Sequence, residues 1–127
     1  MLSVPSVIPA PVRQPLASAK RICQKITRRV ADEFGLDPAT VTAPTRGAPD
    51  AAYARQVAMY LAHVGFALSF ETIGRVFNRD RTTVAHACRV VEDGRDDKRL
   101  DRRLVTLELM CVVTSDEDYR GASHDNI

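Results

Sequence analysis

Tryptophan is absent from the 127 residues and aromatics make up only 6% of them. This favours a small helical core of Leu, Val, Ile and Ala, in one domain with flexible ends. No apolar run approaches the length that crosses a bilayer, and the first residues lack the basic start and continuous apolar stretch of a signal peptide. A cytoplasmic protein with no membrane contact is expected. Cysteine is scarce and odd in number: Cys23, Cys88 and Cys111 stand far apart, two of them on apolar helical stripes. They predict buried reduced thiols rather than a disulfide framework or a metal site. None of the six glycines belongs to a phosphate loop of the form GxxxxGK[ST], and His63, His86 and His124 are isolated from any ligand or nucleophile partner. The acidic run after Val91 lacks the Gly and Glu positions of a calcium loop. No enzyme, cofactor or metal is expected. Proline does not occur after Pro49, which argues for a continuously helical region from there on.

What is present is unevenly charged. The net charge of +2 divides into +6 over residues 1–91, with 12 Lys and Arg against 6 Asp and Glu, and −4 over residues 92–127, with 6 against 10. A basic part of this kind suits a polyanionic partner, and an acidic end limits non-specific adhesion or meets a different partner.

Residues 1–16 hold four of the seven prolines and predict an extended arm, either a mobile leader or a docking peptide. From Ser18, Ile22, Ile26, Val30 and Phe34 recur every fourth residue, with Cys23 and Ala31 beside them, in an amphipathic helix ended by Gly35. Its outer face carries Lys20, Arg21, Lys25, Arg28 and Arg29, a pattern that fits a solubilising face and a phosphate-contacting one equally. Asp37 caps a short helical turn that begins at Pro38. Residues 42–50 read as a loop whose one charge before Asp50 is Arg46. Asp50 is the expected cap of a helix to about Val64, with Ala54, Val57, Ala58, Leu61 and Val64 inward and Arg55 and Gln56 pointing away.

Residues 68–91, LSFETIGRVFNRDRTTVAHACRVV, organise the rest. Ser69 is positioned to cap a short helix with Phe70, Ile73, Val76 and Phe77 at helical spacing. Asn78, Arg79 and Asp80 break it. Asp80 is placed to cap a second helix whose buried stripe is Val84, Ala87, Cys88 and Val91. Two short helices joined by a tight turn make a helix-turn-helix. Facing outward on the second are Arg81, Thr82, Thr83, His86 and Arg89, with no carboxylate after the cap. Arg donates twice to guanine, a Thr methyl packs on a thymine methyl, and hydroxyls and imidazole serve bases or phosphates. The alternative is the solvated helix of a small bundle. Beyond Val91 a mixed-charge run leads to a helix over residues 98–113 marked by Leu100, Leu104, Leu107 and Cys111, whose apolar side lies on the domain's own core or on a partner. Residues 115–127 predict a disordered acidic tail.

The blocks ARQVAMYLA (54–62) and IGRVFNRDRTTVAHACRVVE (73–92) resemble the C-terminal DNA-binding domain, domain IV, of the bacterial replication initiator DnaA. That family's pattern is Ala-Arg-Gln-x-Ala-Met-Tyr-Leu, then Ile-Gly-x-x-Phe, then Arg-Asp-His-Thr-Thr-Val-x-His-Ala. The resemblance implies an all-α bundle with a helix-turn-helix, of the kind in the tryptophan repressor and DnaA domain IV, spanning residues 17–95, with 96–114 as an additional helix. It implies that Asp80, Thr82, Thr83 and His86 sit in or beside a major groove and that Arg46 enters the adjacent minor groove. Arg55 and Gln56 would then hold phosphates or the register, with Arg79, Arg81 and Arg89 completing the interface. Three departures stand out. Arg81 replaces a His, which shifts base preference toward guanine; Asn78 replaces a turn glycine, in a turn one residue shorter; and Val90 occupies a position that is often Lys. The chain reads as the initiator's reading head without its ATPase motor.

Two functions are compatible with these residues. The first is sequence-specific binding of double-stranded DNA at DnaA-box-like sites, by a monomer, in control of replication initiation or transcription. The second is a protein-interaction regulator that mimics the initiator and engages DnaA or its Hda-type inactivator through the arm, the last helix and the tail.

Overall fold

The computed structural model describes residues 15–43 and 49–125, with side chains followed as far as Cys111. Six helices occupy them: α1 (Leu16–Phe34), α2 (Pro38–Thr42), α3 (Pro49–Phe66), α4 (Phe70–Phe77), α5 (Arg81–Gly94) and α6 (Lys98–Asp125). No strand occurs among the described residues. No helix there is long and apolar enough to cross a membrane.

Local chemistry sets most of the boundaries. Gly35 adopts the left-handed conformation at φ 68° and closes α1, its N–H returning to the carbonyls of Ala31 and Asp32. The Asp37 carboxylate accepts from the Ala39 N–H at 2.9 Å and starts α2 with Pro38 in its first turn. Ser69 caps α4 by accepting from the Thr72 N–H at 3.1 Å, an arrangement worth about 1 kcal/mol. Asn78 ends α4 at φ 57°, a conformation Asn tolerates better than most residues.

Helix α3 is the axis of the bundle. Ala51, Ala54, Val57, Ala58, Met59, Tyr60, Leu61 and Ala62 are all buried, so the helix is covered nearly all round rather than on one stripe. Its alanines admit α1 and α5 at close range. Three details differ from the sequence expectation. Pro49 is already helical, which places Asp50 in the first turn instead of at the cap. Val64 is 49% exposed. The helix continues through Gly65 to Phe66, and the link to α4 is residues 67–69, where His63 Nδ1 bonds the Leu68 carbonyl at 2.9 Å and its ring lies 4.3 Å from that of Phe70.

Helix α6 settles one open choice: Leu104, Leu107 and Cys111 are buried in the domain's own core against α1 and α3. The backbone of α6 is helical through Asp125. With no proline to stop it, a helix nucleated by a packed first half adds each further residue at little cost. Arg95 pins its start. The guanidinium meets Asp101 Oδ1 at 2.6 Å and Glu108 Oε2 at 3.2 Å and donates to the Tyr60 hydroxyl at 3.0 Å, while Tyr60 donates to Glu92 at 2.6 Å. Burial alone pushes the Arg95 pKa down, but its bonds to Tyr60, Asp101 and Glu108 outweigh that and hold it above the ordinary range. Arg103 adds a contact to Glu33 at 3.1 Å and lies 4.5 Å over the Phe34 ring.

All three cysteines are buried thiols, and burial pushes Cys23 from 9.0 to about 12 and Cys88 to about 11. The folded chain thus keeps protons that the unfolded chain releases near pH 9, so stability is full below that pH and falls as pH rises toward these values. The unfolding free energy from urea titration is expected to decline between pH 9 and pH 11 by up to about 1.4 kcal/mol per pH unit for each such thiol. A Cys23→Ala variant should show a shallower decline; an unchanged slope would contradict the burial of Cys23.

Candidate nucleic-acid interface

The geometry of α4 and α5 rests on a glycine. Gly74 faces the turn so closely that a Cβ there would stand 2.5 Å from the Arg79 carbonyl oxygen and 3.5 Å from the Arg81 nitrogen. The Arg79 N–H in turn donates to the Gly74 carbonyl at 2.8 Å. The turn is thus clamped to the middle of α4, and α5 leaves it in a fixed direction. Val84, Ala87, Cys88 and Val91 lock the back of α5 into the core, as their spacing predicts.

Asp80, Arg81, Thr82, Thr83, His86 and Arg89 are all exposed. Asp80 occupies the N-cap position of α5 with extended backbone, but its carboxylate makes no cap hydrogen bond. The sequence expectation that Asp80 caps the helix through its side chain is therefore corrected: the backbone takes the cap conformation and the carboxylate is left toward solvent. The first turn of α5 contains no acid, and its N–H groups have no side-chain cap. This end of α5 offers donors, one acceptor carboxylate and two guanidinium groups along one face.

Arg55 departs from expectation. It is 8% exposed, with Nε donating to the Val41 carbonyl at 2.7 Å and Nη2 reaching the Ala43 carbonyl at 3.5 Å. It points into the bundle, not away from it. Arg79, half-buried, donates to the same Ala43 carbonyl at 3.1 Å and to the Phe77 carbonyl at 2.9 Å. Two guanidinium groups meet on one oxygen at the end of α2. Burial, and then the charge of Arg79, push the Arg55 pKa down. Gln56 is half-buried on α3. Arg46 lies outside the described residues. Of the bases on α1, Lys20 and Arg28 rim a cleft of about 440 Å³ against Pro38, Val76 and Phe77, which sets them beside α4.

Sequence reasoning passed over Gly74 and the shared Ala43 oxygen. A glycine among Ile73, Val76 and Phe77, in the middle of a helix where Ala would serve better, was a usable signal for the first. The second had none, because its partners lie 12 and 36 residues apart. Gly74→Ala is expected to cost about 1 to 3 kcal/mol by overpacking and to displace the turn. A fall in melting temperature measures the cost, and a stability unchanged within error would contradict the close approach.

Comparison with known proteins agrees with this geometry. Residues 23–91 match the family model described as the bacterial dnaA protein helix-turn-helix. The chain is 33% identical over 90 residues to chromosomal replication initiator protein DnaA 2 of Chlamydia caviae, covering 71% of this chain and 19% of that protein. It is 37% identical over 90 residues to the DnaA of Thermus thermophilus, covering 69% and 20%. The DnaA of Burkholderia multivorans is 39% identical over 87 residues, covering 67% and 16%. This chain spans about a fifth of the length of these relatives. A crystal structure of a DNA replication initiation factor superimposes with a TM-score of 0.67 at 28% identity, covering 75% of this chain and 29% of that one. The match covers more than half the chain, including α2, α3 and α4 whole and α5 as far as Val91, and the chain belongs to the bacterial DnaA helix-turn-helix family.

Proposed function

We propose that this chain binds double-stranded DNA in a sequence-specific way at DnaA-box-like sites, and so regulates the initiation of chromosome replication or transcription. One observation carries the reading: six polar side chains from Asp80 to Arg89 share an exposed face of a helix whose other face is locked in the core, and the fold itself has no use for them. The relatives' role as chromosomal replication initiators supports the choice of ligand and of process.

In this reading α5 lies in the major groove with its open N-terminal turn toward the bases. Arg81 donates to guanine O6 and N7, the Asp80 carboxylate accepts from a cytosine N4, and Thr82 and Thr83 meet a thymine methyl or a phosphate. His86 and Arg89 extend the contact along the groove. Helix α4, with Lys20 and Arg28 beside it, crosses the backbone and contributes salt-dependent affinity. Arg46 reaches the minor groove from residues 44–48. Arg55 and Arg79 hold the start of that segment through the Ala43 carbonyl, so Arg55 acts on the backbone contacts from behind, while Gln56 helps set the register.

Titration of a labelled DnaA-box duplex and a scrambled duplex of equal composition tests the assignment. Arg81→Ala is expected to shrink the ratio of cognate to scrambled affinity by about 5- to 150-fold, the equivalent of about 1 to 3 kcal/mol for one bidentate base contact. Arg55→Ala should weaken both duplexes alike. A wild-type chain that binds the two duplexes equally, or an Arg81→Ala chain that loses both in proportion, would falsify the proposal.

A further inference from the structure

The cleft between α1, α2 and α4 holds about 440 Å³, within the span of about 300 to 1,000 Å³ usual for small-molecule sites. Cys23, Thr27 and Phe77 are buried and form its floor, while Lys20, Arg28 and Pro38 stand exposed at its rim. Its charge is of one sign. Among the described residues no Asp or Glu lines the cleft, and Lys20 and Arg28 make no ion pair. The Cys23 thiol, kept protonated by burial, adds no negative charge. Pro38, Val76 and Phe77 supply an apolar wall.

Thr27 points to an occupant. It is only 4% exposed, and its hydroxyl has no hydrogen-bond partner among the described residues. A helical threonine can satisfy itself by bonding back to a carbonyl of the preceding turn; this one does not. No fully enclosed side-chain oxygen is left unpaired among the described residues. The little that Thr27 exposes therefore includes its hydroxyl, and it opens into the cleft that Thr27 lines. A donor kept unpaired at this depth costs stability until something accepts from it.

We propose that the cleft binds a small amphipathic anion, with an aromatic body on Pro38, Val76 and Phe77 and a carboxylate or phosphate-ester head accepting from the Thr27 hydroxyl between Lys20 and Arg28. The two cations are about 12 Å apart along the axis of α1, and their flexible stems close on the head from either end. Charge-assisted bonds of this kind are roughly twice as strong as neutral ones. A bare phosphate leaves the apolar wall uncovered, and a neutral ring leaves the cations unmatched, so the ligand needs both halves. The DNA-binding reading gives the same cations to a duplex backbone. Binding is therefore tested on the full chain without DNA, where failure leaves that reading standing.

Backbone amide NMR shifts of the isotope-labelled chain are followed during titration with 1-naphthylacetate, 1-naphthyl phosphate, neutral 1-naphthylacetamide and inorganic phosphate. Both naphthyl anions are expected to give saturable shifts centred on residues 20–28, 38–42 and 76–77. Their dissociation constants should lie near about 1 mM, as about 14 heavy atoms at ordinary ligand efficiency give, and the tighter of the two identifies the head. The neutral amide and inorganic phosphate should each bind about tenfold more weakly or worse. Thr27→Val keeps the shape and removes the hydroxyl. It should weaken both anions about tenfold without lowering the melting temperature, because the fold makes no bond to that hydroxyl. Shifts that do not saturate or that centre elsewhere, an amide that binds as well as the anions, or a Thr27→Val chain of unchanged affinity overturns the site. Inorganic phosphate binding as tightly as the naphthyl anions overturns the apolar half of the ligand.

Discussion

A missing methyl group governs how the two short helices meet. Because Gly74 presents no Cβ, the Arg79 carbonyl sits where that carbon would be, and the turn between α4 and α5 lies directly on the backbone of α4. Interiors are packed densely enough that such an approach admits one geometry rather than a range. The direction of α5 follows, and with it the line along which Arg81, Thr82, His86 and Arg89 are displayed. Asn78 makes the approach possible by taking a left-handed conformation at the end of α4. The chemistry of the exposed face is therefore set by side chains, but its aim is set by two backbone atoms behind it.

Features that depend on neighbouring residues could be read from the sequence. The stripe of α1, its stop at Gly35, the Asp37 and Ser69 caps, the Asn78 stop and the buried stripe of α5 all follow from local spacing and capping chemistry. What escaped reading involves partners remote in the chain. Arg55 looked outward because it lies off the apolar stripe of α3, yet the carbonyls of Val41 and Ala43 draw it in. Nothing local in the mixed-charge run after Val91 marks its partners. Within it Arg95 is tied to Tyr60, Asp101 and Glu108, contacts that exist only once α6 has folded back.

The charge division along the chain also changes meaning in three dimensions. Glu108 and Asp101 neutralise Arg95, Glu92 receives the Tyr60 hydroxyl, and Glu33 holds Arg103. The first half of α6 is thus an ionic seam with the domain, not a repelling segment beside a basic one. In the first turns of α5 and the turn before it the reverse holds: among the described residues Arg81 and Arg89 make no ion pair, and the Asp80 carboxylate makes no cap bond to the helix it precedes. Charge is consumed where helices join and kept open where α5 faces solvent.

The Ala43 oxygen that receives both Arg55 and Arg79 links three parts of the chain at one atom: the centre of α3, the turn ahead of α5, and the strand of backbone leaving α2. A guanidinium spans several ångströms and has five donors on a rigid plane, so neither arginine follows the carbonyl without dragging its other acceptors. The peptide leaving α2 and the first residue of α5 therefore keep a constant separation, as two jaws cut from a single piece of metal do. Were the chain to hold a duplex as proposed, one whose grooves departed from that gauge would itself have to deform, and deformability would become part of what is recognised.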